Sequence, residues 1–451
     1  MTEIDLKKYF AKTDDPLTGA FEKKMVTHPG GSSSMVPPPM IEKKISTIRA
    51  AERTGKSAAY IHVPFCETHC LYCGFYKKRF NVEESHAYAD TLIAELQMWK
   101  DDPIQQTAPI HAVYLGGGTP TSLEAVDIAR IVKAIGENLP LANDCEITME
   151  GRIQNFDDDK IKACIDHGVN RFSLGVQTFN TELRQSMKRL ADRETVIKKL
   201  VQMRDLDQAV IVLDLIYGFP GQTKEMWQHD IETLLSLEID GGDLYQLQVF
   251  PQTPLHTAIE NKKFEPALDV PQRARLYDFG CDLMETAQYR RLSVNHWGRD
   301  TRERNIYNHL MRSPSNCLPF GPGAGGTLGG CSIMTESDYD NWKKAVADGK
   351  KPVKMMFQHG PHSLLEKTIT GEFELCRLNP VDLDQKFNLD LSHCLKPLFD
   401  QWTEAGLFLK DGDWLHLTRA GQFWQVNLAQ LTLDYLQQTL LKEKRDEAKH
   451  R

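Results

Sequence analysis

Three cysteines stand close together in the stretch "HVPFCETHCLYCGF", residues 62–75. Cys66, Cys70 and Cys73 follow the spacing CxxxCxxC, with no fourth cysteine nearby. Thiolates at this spacing can hold a [4Fe–4S] cluster if the loop wraps tightly, which Gly74 permits. Three alternatives fit less well. A structural zinc site needs four closed ligands, a redox dithiol leaves Cys66 unexplained, and inert buried cysteines would not cluster within eight residues.

A cubane held by only three cysteines leaves one of its irons free to bind a small chelating ligand. The amino and carboxylate groups of S-adenosylmethionine (SAM) suit that iron. An electron from the reduced cluster can then cleave the sulfonium bond and give a 5′-deoxyadenosyl radical. The cysteine loop therefore predicts an iron–sulfur site that works on SAM.

Short apolar runs rich in β-branched residues must position this loop. Between about residues 55 and 255 they alternate with longer helix-like stretches, which is typical of βα units around a parallel sheet. The six predicted strands are 58–63, 110–115, 145–149, 171–176, 209–216 and 243–250.

Glycine or polar residues follow each predicted strand at the same end. The cysteine loop follows the first strand, and "GGGTP" follows the second. Glu150, Gln177, Asp214 and Gln248 lie at the third to the sixth. In a βα barrel that end is the carboxyl-terminal rim, where active sites are built. We therefore predict an α/β fold, a partial (βα)6 TIM-like barrel with its site at this rim.

Composition describes an ordinary globular chain of 451 residues with 41% hydrophobic and 26% charged residues. The first residues carry charges where a signal peptide would be apolar, and no long uncharged apolar run follows. We therefore expect a cytoplasmic protein without a membrane span. The ten cysteines are too dilute for a disulfide scaffold, and the net charge of −8 argues against a nucleic-acid partner.

Three regions are predicted along the chain. Residues 1–44 form an N-terminal tail ending in the Gly, Ser and Pro-rich stretch 27–40, and 45–350 form the barrel with a segment that covers the substrate. Residues 351–451 form a small helical domain. Its "GLFLKDGDWLHLT" predicts a two-stranded wing, and its last residues predict a long amphipathic helix.

The motif "CETHCLYC", with an aromatic residue before its last cysteine, resembles the radical SAM superfamily. Further stretches, "YLGGGTPTSL", "NRFSLGVQTFNTELRQSMKR" and "LDLIYGFPGQT", resemble its oxygen-independent coproporphyrinogen dehydrogenase group over roughly residues 55–255. The C-terminal segment "LFLKDGDWLHLTRAGQFWQVNLAQLTLDYL" is similar to the C-terminal domain of that group.

The resemblance implies a role for each matching position. Cluster ligands are Cys66, Cys70 and Cys73. Residues implied to bind SAM are Tyr60, Gly116, Gly117, Gly118, Thr119, Glu150, Gln177, Arg189, Asp214 and Gln248. Candidate catalytic residues are His62, Arg189 and Glu150, although His62 also suits a packed core and Arg189 a helix surface.

One difference from the motif of the coproporphyrinogen dehydrogenases narrows the choice of function within the group. Coproporphyrinogen dehydrogenases resemble "CxxxCxxCGCN" in this loop, whereas this chain has Phe75 at the position of the fourth cysteine. The segment 295–330, "NHWGRDTRERNIYNHLMRSPSNCLPFGPGAGGTLGG", looks instead like the haem-utilisation branch, the anaerobilin synthases. That resemblance implies anaerobic haem degradation, in which methyl transfer from SAM is linked to ring opening and iron release.

Two other functions stay open: porphyrinogen oxidation, and haem chaperoning without catalysis. The implied partners are haem or a related tetrapyrrole and a flavodoxin-like or other low-potential electron donor. A docking surface for that donor, or simply a solvated loop, would explain the basic residues 77–79.

The segment 295–330 also offers a candidate lip for haem. It places His296, Trp297 and three arginines, Arg299, Arg302 and Arg304, within nine residues, before the glycine-rich "FGPGAGGTLGG". Haem needs cations for its propionates and backbone that a flat ring can approach. A surface loop followed by a glycine turn would give the same pattern.

Overall fold

The computed structural model describes residues 5–25 and 31–449, with side chains up to residue 439. Its N-terminal part contains a 3-10 helix, Leu6–Tyr9, and three further elements: α1 (Pro16–Gly19), β1 (Ser33–Met35) and α2 (Pro38–Ala50). The 3-10 helix packs on the C-terminal helices, because the Trp402 indole donates to the Tyr9 carbonyl at 3.0 Å. The Trp424 indole likewise donates to the Pro16 carbonyl at 2.9 Å.

Six parallel strands carry the centre of the fold, as the apolar runs predict. The strands up to residue 246 are β2 (Ser57–Val63), β3 (Phe65–Cys66), β4 (Lys78–Arg79), β5 (Ile110–Gly117), β6 (Leu141–Gly151), β7 (Arg171–Gln177), β8 (Val210–Tyr217) and β9 (Gly241–Gln246). The neighbours β2-β5-β6-β7-β8-β9 pair in parallel in this order. The short strands β3 and β4 pair separately within the cysteine loop.

Helices connect these strands. They are α3 (Val82–Gln97), α4 (Pro103–Gln106), α5 (Ala125–Asn138), α6 (Asp158–Asp166), α7 (Thr181–Ser186), α8 (Arg193–Leu206), α9 (Lys224–Ser236), α10 (Pro254–Glu260) and α11 (Val270–Thr286). Side chains cap several of their first turns: Asp157, Asp192 and Thr223 each accept a backbone N–H there. The predicted partial α/β barrel is thus confirmed.

Beyond residue 286 the chain extends the same sheet at both edges. The elements are β10 (Arg290–Arg291), β11 (His296–Gly298), α12 (Ile306–Arg312), β12 (Asn316–Phe320), β13 (Gly325–Leu328), β14 (Cys331–Thr335), α13 (Tyr339–Ala347) and β15 (Val353–His359). β11 pairs antiparallel with β9, and β12 pairs in parallel with β2. β1 then pairs with β15 at the far edge, so the sheet has thirteen strands among the residues that the structure describes.

The C-terminal region is mainly helical, as predicted. It contains α14 (Ser363–Glu374), β16 (Arg377–Leu378), α15 (Pro380–Phe387), α16 (Leu391–Cys394), α17 (Lys396–Glu404), β17 (Phe408–Asp411), β18 (Trp414–Leu417), α18 (Arg419–Phe423) and α19 (Gln425–Lys449). The predicted ribbon is β17 with β18, and β16 adds a third strand to it. Among the described residues, no helix has the length and apolar character that crossing a bilayer requires.

A buried ionic network lies below the carboxyl-terminal rim. Arg171, at the start of β7, binds Glu303 through two N–H groups at 3.0 and 3.2 Å. His296 contacts Glu303 at 3.2 Å and Asp243 of β9 at 2.8 Å. Burial alone would raise the pKa of Glu303, but Arg171 and His296 lower it to about 2. This network ties the segment after α11 to the barrel.

We expect Glu303→Gln to lower the free energy of unfolding by about 3–5 kcal/mol, because the change leaves the buried Arg171 without its carboxylate. Urea denaturation followed by circular dichroism measures the difference. The control is Glu137→Gln, whose exposed pair with Lys133 spans 3.7 Å and contributes at most about 1 kcal/mol. Equal effects of the two changes would contradict a stabilising network.

The network also predicts a pH dependence. Burial alone would lower the pKa of His296, but Asp243 and Glu303 raise it to about 9. A raised pKa stabilises the fold below the unfolded-state value of about 6.5, and this contribution disappears as the pH rises towards 9. The stability difference between the wild type and His296→Asn should therefore shrink from pH 6.5 to pH 9. A constant difference in urea midpoints across that range would rule out a charged His296.

Candidate active site

The cysteine loop leaves the carboxyl end of β2 and is fixed at several points by backbone hydrogen bonds. Cys66 and Cys70 are buried, whereas Cys73 is partly exposed. The Leu71 N–H donates to the Met187 carbonyl at 3.3 Å, and the Leu71 carbonyl accepts from the Leu255 N–H at 2.8 Å. Backbone contacts with the segments around Met187 and Leu255 therefore define the shape of the loop.

The glycine turn after β5 lies directly against this loop. The Gly118 N–H donates to the Val63 carbonyl at 2.7 Å, and the Thr119 N–H donates to the Phe65 carbonyl at 2.7 Å. A Cβ on Gly118 would lie 2.4 Å from the Phe65 oxygen. Because no side chain fits there, the contact itself requires glycine.

All three sulfurs of the loop accept a hydrogen bond. The Thr119 hydroxyl donates to Cys66 Sγ at 3.3 Å, and the Phe75 N–H donates to Cys73 Sγ at 3.4 Å. Arg189 donates to Cys70 Sγ at 3.5 Å. Donors aimed at sulfur favour the thiolate, which is the form that binds iron.

The described residues contain no group of three or more His, Cys, Asp or Glu placed to share one metal ion. A cubane does not require such a group, because each of its cysteines binds a different iron. The loop with its sulfur donors therefore fits an iron–sulfur cluster. Cys66, Cys70 and Cys73 are the residues that would hold it.

Two arginines flank the cysteines. Arg152 donates to the Thr68 carbonyl at 3.0 Å and to Cys66 Sγ at 3.7 Å. Besides Cys70 Sγ, Arg189 donates to the Gly175 carbonyl and to the Tyr72 hydroxyl, the latter at 3.5 Å. The motif comparison that singled out Arg189 missed Arg152. Its signal in the sequence is a position two residues after Glu150 at the end of the same strand.

The pKa shifts in opposite directions at the two buried thiols, Cys66 and Cys70. Burial alone would raise the pKa of Cys70, but the guanidinium groups of Arg189 and Arg152 lower it. For Cys66, burial outweighs Arg152 and the Thr119 hydroxyl, so its pKa is raised. Positive charge next to the loop therefore partly offsets the cost of placing thiolates in a buried site.

Glu150 lies at the end of β6 and faces the glycine turn. Its carboxylate accepts from the Tyr114 hydroxyl at 2.9 Å and from the Gly117 N–H at 3.0 Å. Burial raises the pKa of Glu150 despite these two donors. A Cβ on Gly116 would lie 2.7 Å from the carboxylate, so both glycines make room for Glu150 and its surroundings.

Gln177 ends β7, and Asp214 lies inside the neighbouring β8, opposite Gly175. Gln177 has a φ of 72°, in the left-handed region, and its buried Oε1 has no partner among the described residues. Such backbone strain clusters at ligand-binding positions. Burial and the nearby Asp243 and Glu150 raise the pKa of Asp214 to about 8. The amide oxygen of Gln177 thus has unused hydrogen-bonding capacity at the rim.

His62 points into the barrel from the end of β2. Its Nδ1 lies 3.1 Å from the Tyr60 hydroxyl, and its buried Nε2 has no partner within the described part of the chain. Burial lowers the pKa of His62 to about 4, so the ring is neutral at pH 7. Gly117, with a φ of 109°, would place a Cβ 2.5 Å from this ring.

Three tyrosines stack beneath His62, and the sequence patterns had singled out only Tyr60. Tyr114 lies 4.5 Å from the ring of Tyr307 and 6.4 Å from that of Tyr60. Tyr307 belongs to α12, whose first N–H groups, at Ile306 and Tyr307, donate to Glu146 of β6 at 2.9 and 3.1 Å. Helix α12 therefore sits inside the open barrel.

The arginines of the predicted haem lip lie elsewhere. Arg304 pairs with Asp144 at 3.1 Å, and Arg302 pairs with Asp207 and with Asp240. These aspartates precede or begin β6, β8 and β9, so the arginines face the amino-terminal rim. Arg299 binds the Glu238 carbonyl at the same rim. These ion pairs favour the alternative interpretation of the segment, a surface loop, over propionate binding by the arginine cluster.

The rest of that segment is also built into the sheet. His296 belongs to the buried network, and Trp297 is 1% exposed beneath the guanidinium of Arg291. The glycine-rich stretch begins at the last residue of β12, contains β13 and ends directly before β14. A Cβ on Gly326 would lie 2.4 Å from the Cys317 carbonyl, so close strand packing explains that glycine.

Gln248 lies just beyond the end of β9. It lines a cavity of about 660 Å³ between the barrel and the C-terminal helices, together with Tyr245, Gln246 and Tyr307. The predicted site residues thus gather at one rim around the cysteine loop, and Gln248 reaches from that rim into a space of ligand size.

Comparison with known proteins supports this reading of the site. Residues 60–234 match the model of the radical SAM superfamily. The chain is 42% identical to anaerobilin synthase from Escherichia coli O157:H7 over 391 residues, which cover 85% of each chain. It is 31% identical to the haem chaperone HemW of Lactococcus lactis, over 65% of this chain and 76% of that protein.

The fold is also known. The structure of the coproporphyrinogen III oxidase HemN from Escherichia coli superposes with a TM-score of 0.76 at 20% identity, covering 96% of this chain and 99% of HemN. The cofactors of the radical SAM superfamily are a [4Fe–4S] cluster and SAM, in agreement with the cysteine spacing. The chain therefore belongs to the radical SAM superfamily, in the group that contains anaerobilin synthase, HemW and the oxygen-independent coproporphyrinogen III oxidases.

Proposed function

We propose that this protein degrades haem without oxygen: it opens the macrocycle to a linear tetrapyrrole, with methyl transfer from SAM and release of iron. The observation that carries the proposal is the 42% identity to anaerobilin synthase, which spans 85% of both chains. Phe75 agrees with it, because this 68% exposed side chain stands where the coproporphyrinogen dehydrogenase motif has a fourth cysteine.

In this proposal the rim residues hold and orient SAM. When bound, the cluster and SAM supply a 5′-deoxyadenosyl radical. Gln177 and Asp214 offer acceptor oxygens for ribose hydroxyls, and the carboxylate of Glu150 offers negative charge beside a cation. Tyr114 and the Gly117 N–H fix the orientation of that carboxylate. Tyr60 and the turn Gly116–Thr119 complete the SAM site.

His62 and Arg189 have different tasks. The neutral His62 ring presents a free Nε2 to the barrel interior, where it can accept or return a proton from the substrate. Arg189 keeps its charge, since nearby Tyr72 and Cys70 raise its pKa above the usual range despite burial. Its guanidinium therefore stabilises the thiolate of Cys70.

The electron donor is a separate protein in this proposal. A flavodoxin-like partner carries excess negative charge, and the exposed Phe75 lies next to the basic residues Lys77 and Arg79. Cys73, the most exposed of the three loop cysteines, accepts a hydrogen bond from the Phe75 N–H at 3.4 Å.

One assay separates the candidate functions. With the anaerobically reconstituted protein, reductant, SAM and haem, we expect the Soret band to bleach while 5′-deoxyadenosine and S-adenosylhomocysteine form. Label from the SAM methyl group should enter a linear tetrapyrrole. Cys66→Ala, Cys70→Ala and Cys73→Ala should each abolish this turnover, because each change removes a cluster ligand.

The control is Cys331→Ser, at a buried cysteine outside the loop whose Sγ contacts Gln358 at 3.5 Å, a bond that a hydroxyl can replace. It should keep wild-type turnover. Intact haem recovered with an unchanged Soret band would refute haem opening and favour a chaperone. Decarboxylation of coproporphyrinogen in place of haem opening would favour the oxidase.

Arg152 should raise the midpoint potential of the cluster. Its N–H group donates to Cys66 Sγ, and hydrogen bonds to cluster sulfurs stabilise the reduced, more negative state. Arg152→Gln should therefore lower the midpoint potential by ~60 mV, the one-electron equivalent of a tenfold change in equilibrium. Redox titration followed by electron paramagnetic resonance measures it.

Arg377→Gln, at a half-exposed arginine of the C-terminal region, is the matched control and should leave the potential unchanged. A potential unaffected by Arg152→Gln would show that the guanidinium only shapes the loop.

A further inference from the structure

The cavity of about 660 Å³ lies between the open side of the barrel and the C-terminal helices. Its walls come from the end of β9, the loop 293–295, α12, α14, and the region where α18 meets α19. A volume of this size accepts an organic ligand much larger than a water cluster. Gln248 and Tyr307 join the cavity to the rim and to the tyrosine stack around Tyr60.

Buried polar atoms in this wall lack protein partners. Gln246 has neither its Oε1 nor its Nε2 hydrogen-bonded within the described part of the chain. Arg312 donates from Nε to the Glu374 carboxylate at 2.6 Å and from Nη2 to the Ser293 hydroxyl at 3.2 Å. Its Nη1 is buried and has no hydrogen-bond partner among the described residues. Such groups cost free energy unless a ligand pairs with them.

The charge of the cavity wall favours an anion. The lining carboxylates Asp243 and Glu374 are already paired with His296 and Arg312. Lys367 of α14 lines the cavity and makes no ion pair with any residue that the structure describes. Lys24 lines it too and donates to the Phe423 carbonyl. Burial lowers the pKa of Lys367 and lowers that of Lys24 to about 7, so the carboxylate of a bound anion would favour the charged form of both amines beside the unpaired edge of Arg312.

The position of Arg312 is set by close helix packing. A Cβ on Gly371 of α14 would lie 2.1 Å from the Arg312 carbonyl, so α12 and α14 meet at this glycine. Lys367 lies one turn before Gly371 on the same helix. Arg312 and Lys367 therefore lie on two closely packed helices. Tyr245 and Tyr307 supply aromatic surface on the barrel side of the cavity.

We propose that this cavity is the substrate site and receives a flat tetrapyrrole, whose carboxylates bind Lys367 and the free Nη1 edge of Arg312. The ring then lies against Tyr307 and Tyr245, on the barrel side that leads to the SAM residues. This inference rests on the proposed function for the choice of a tetrapyrrole. The residues that recognise the carboxylates come from the cavity itself, in place of the arginine cluster at the other rim.

Equilibrium binding tests the site apart from turnover. Haem is titrated into the full-length holoprotein without reductant, and the Soret shift gives Kd. Lys367→Gln should raise Kd about tenfold, the usual size of one lost charge-assisted hydrogen bond. Arg312→Gln should raise it similarly. Haem dimethyl ester, which lacks free carboxylates, should bind the wild type and both variants with equal Kd.

Two controls keep the test decisive. Lys344→Gln removes an exposed helical lysine outside the cavity and should leave Kd unchanged. Lys367→Arg should restore most of the affinity. Within the described part of the chain Lys367 has no carboxylate partner, so its replacement should not disturb folding. Unchanged haem Kd in both cavity variants, or an equal loss with the dimethyl ester, would overturn the inference. Haem opening by the wild type in that case would leave the proposed function standing with its substrate elsewhere.

Discussion

The site depends on the contact between two backbone segments, the cysteine loop after β2 and the glycine turn after β5. Two hydrogen bonds of 2.7 Å join them, and Gly118 leaves no space for a side chain. This contact brings the Thr119 hydroxyl to Cys66 and the Gly117 N–H to Glu150. The proposed cluster ligands and SAM-binding residues are thus set relative to each other by main-chain geometry, which is more rigid than long side chains.

Below this contact the barrel interior is unusually polar and is stabilised by pairing. Arg171, Glu303, His296 and Asp243 satisfy one another in a buried network, and their charges reach Asp214 at the rim. Helix α12 fills the remaining space and adds Tyr307 to the aromatic stack. The same helix ends at Arg312, so α12 contributes both to the aromatic stack around Tyr60 and to the wall of the cavity.

Sequence patterns predicted the features that depend on residues close together in the chain. Six β-branched runs, each followed by glycine or polar residues, gave the strands and the rim, and the cysteine spacing gave the cluster loop. Long-range pairing escaped prediction: β12 pairs with β2 some 250 residues earlier in the chain, and Glu146 caps α12 from a distant strand. The arginines near residue 300 had the right charge for propionates, but aspartates at the opposite rim bind them.

The central claim is that three cysteines hold a cubane whose remaining iron binds SAM. Electron paramagnetic resonance of the dithionite-reduced, anaerobically reconstituted protein tests it most directly when recorded with and without SAM. The structure predicts about four irons and four sulfides per chain, with a [4Fe–4S] signal whose g values shift when SAM is added. Tightly bound zinc, or an iron–sulfur signal that SAM leaves unchanged, would contradict it.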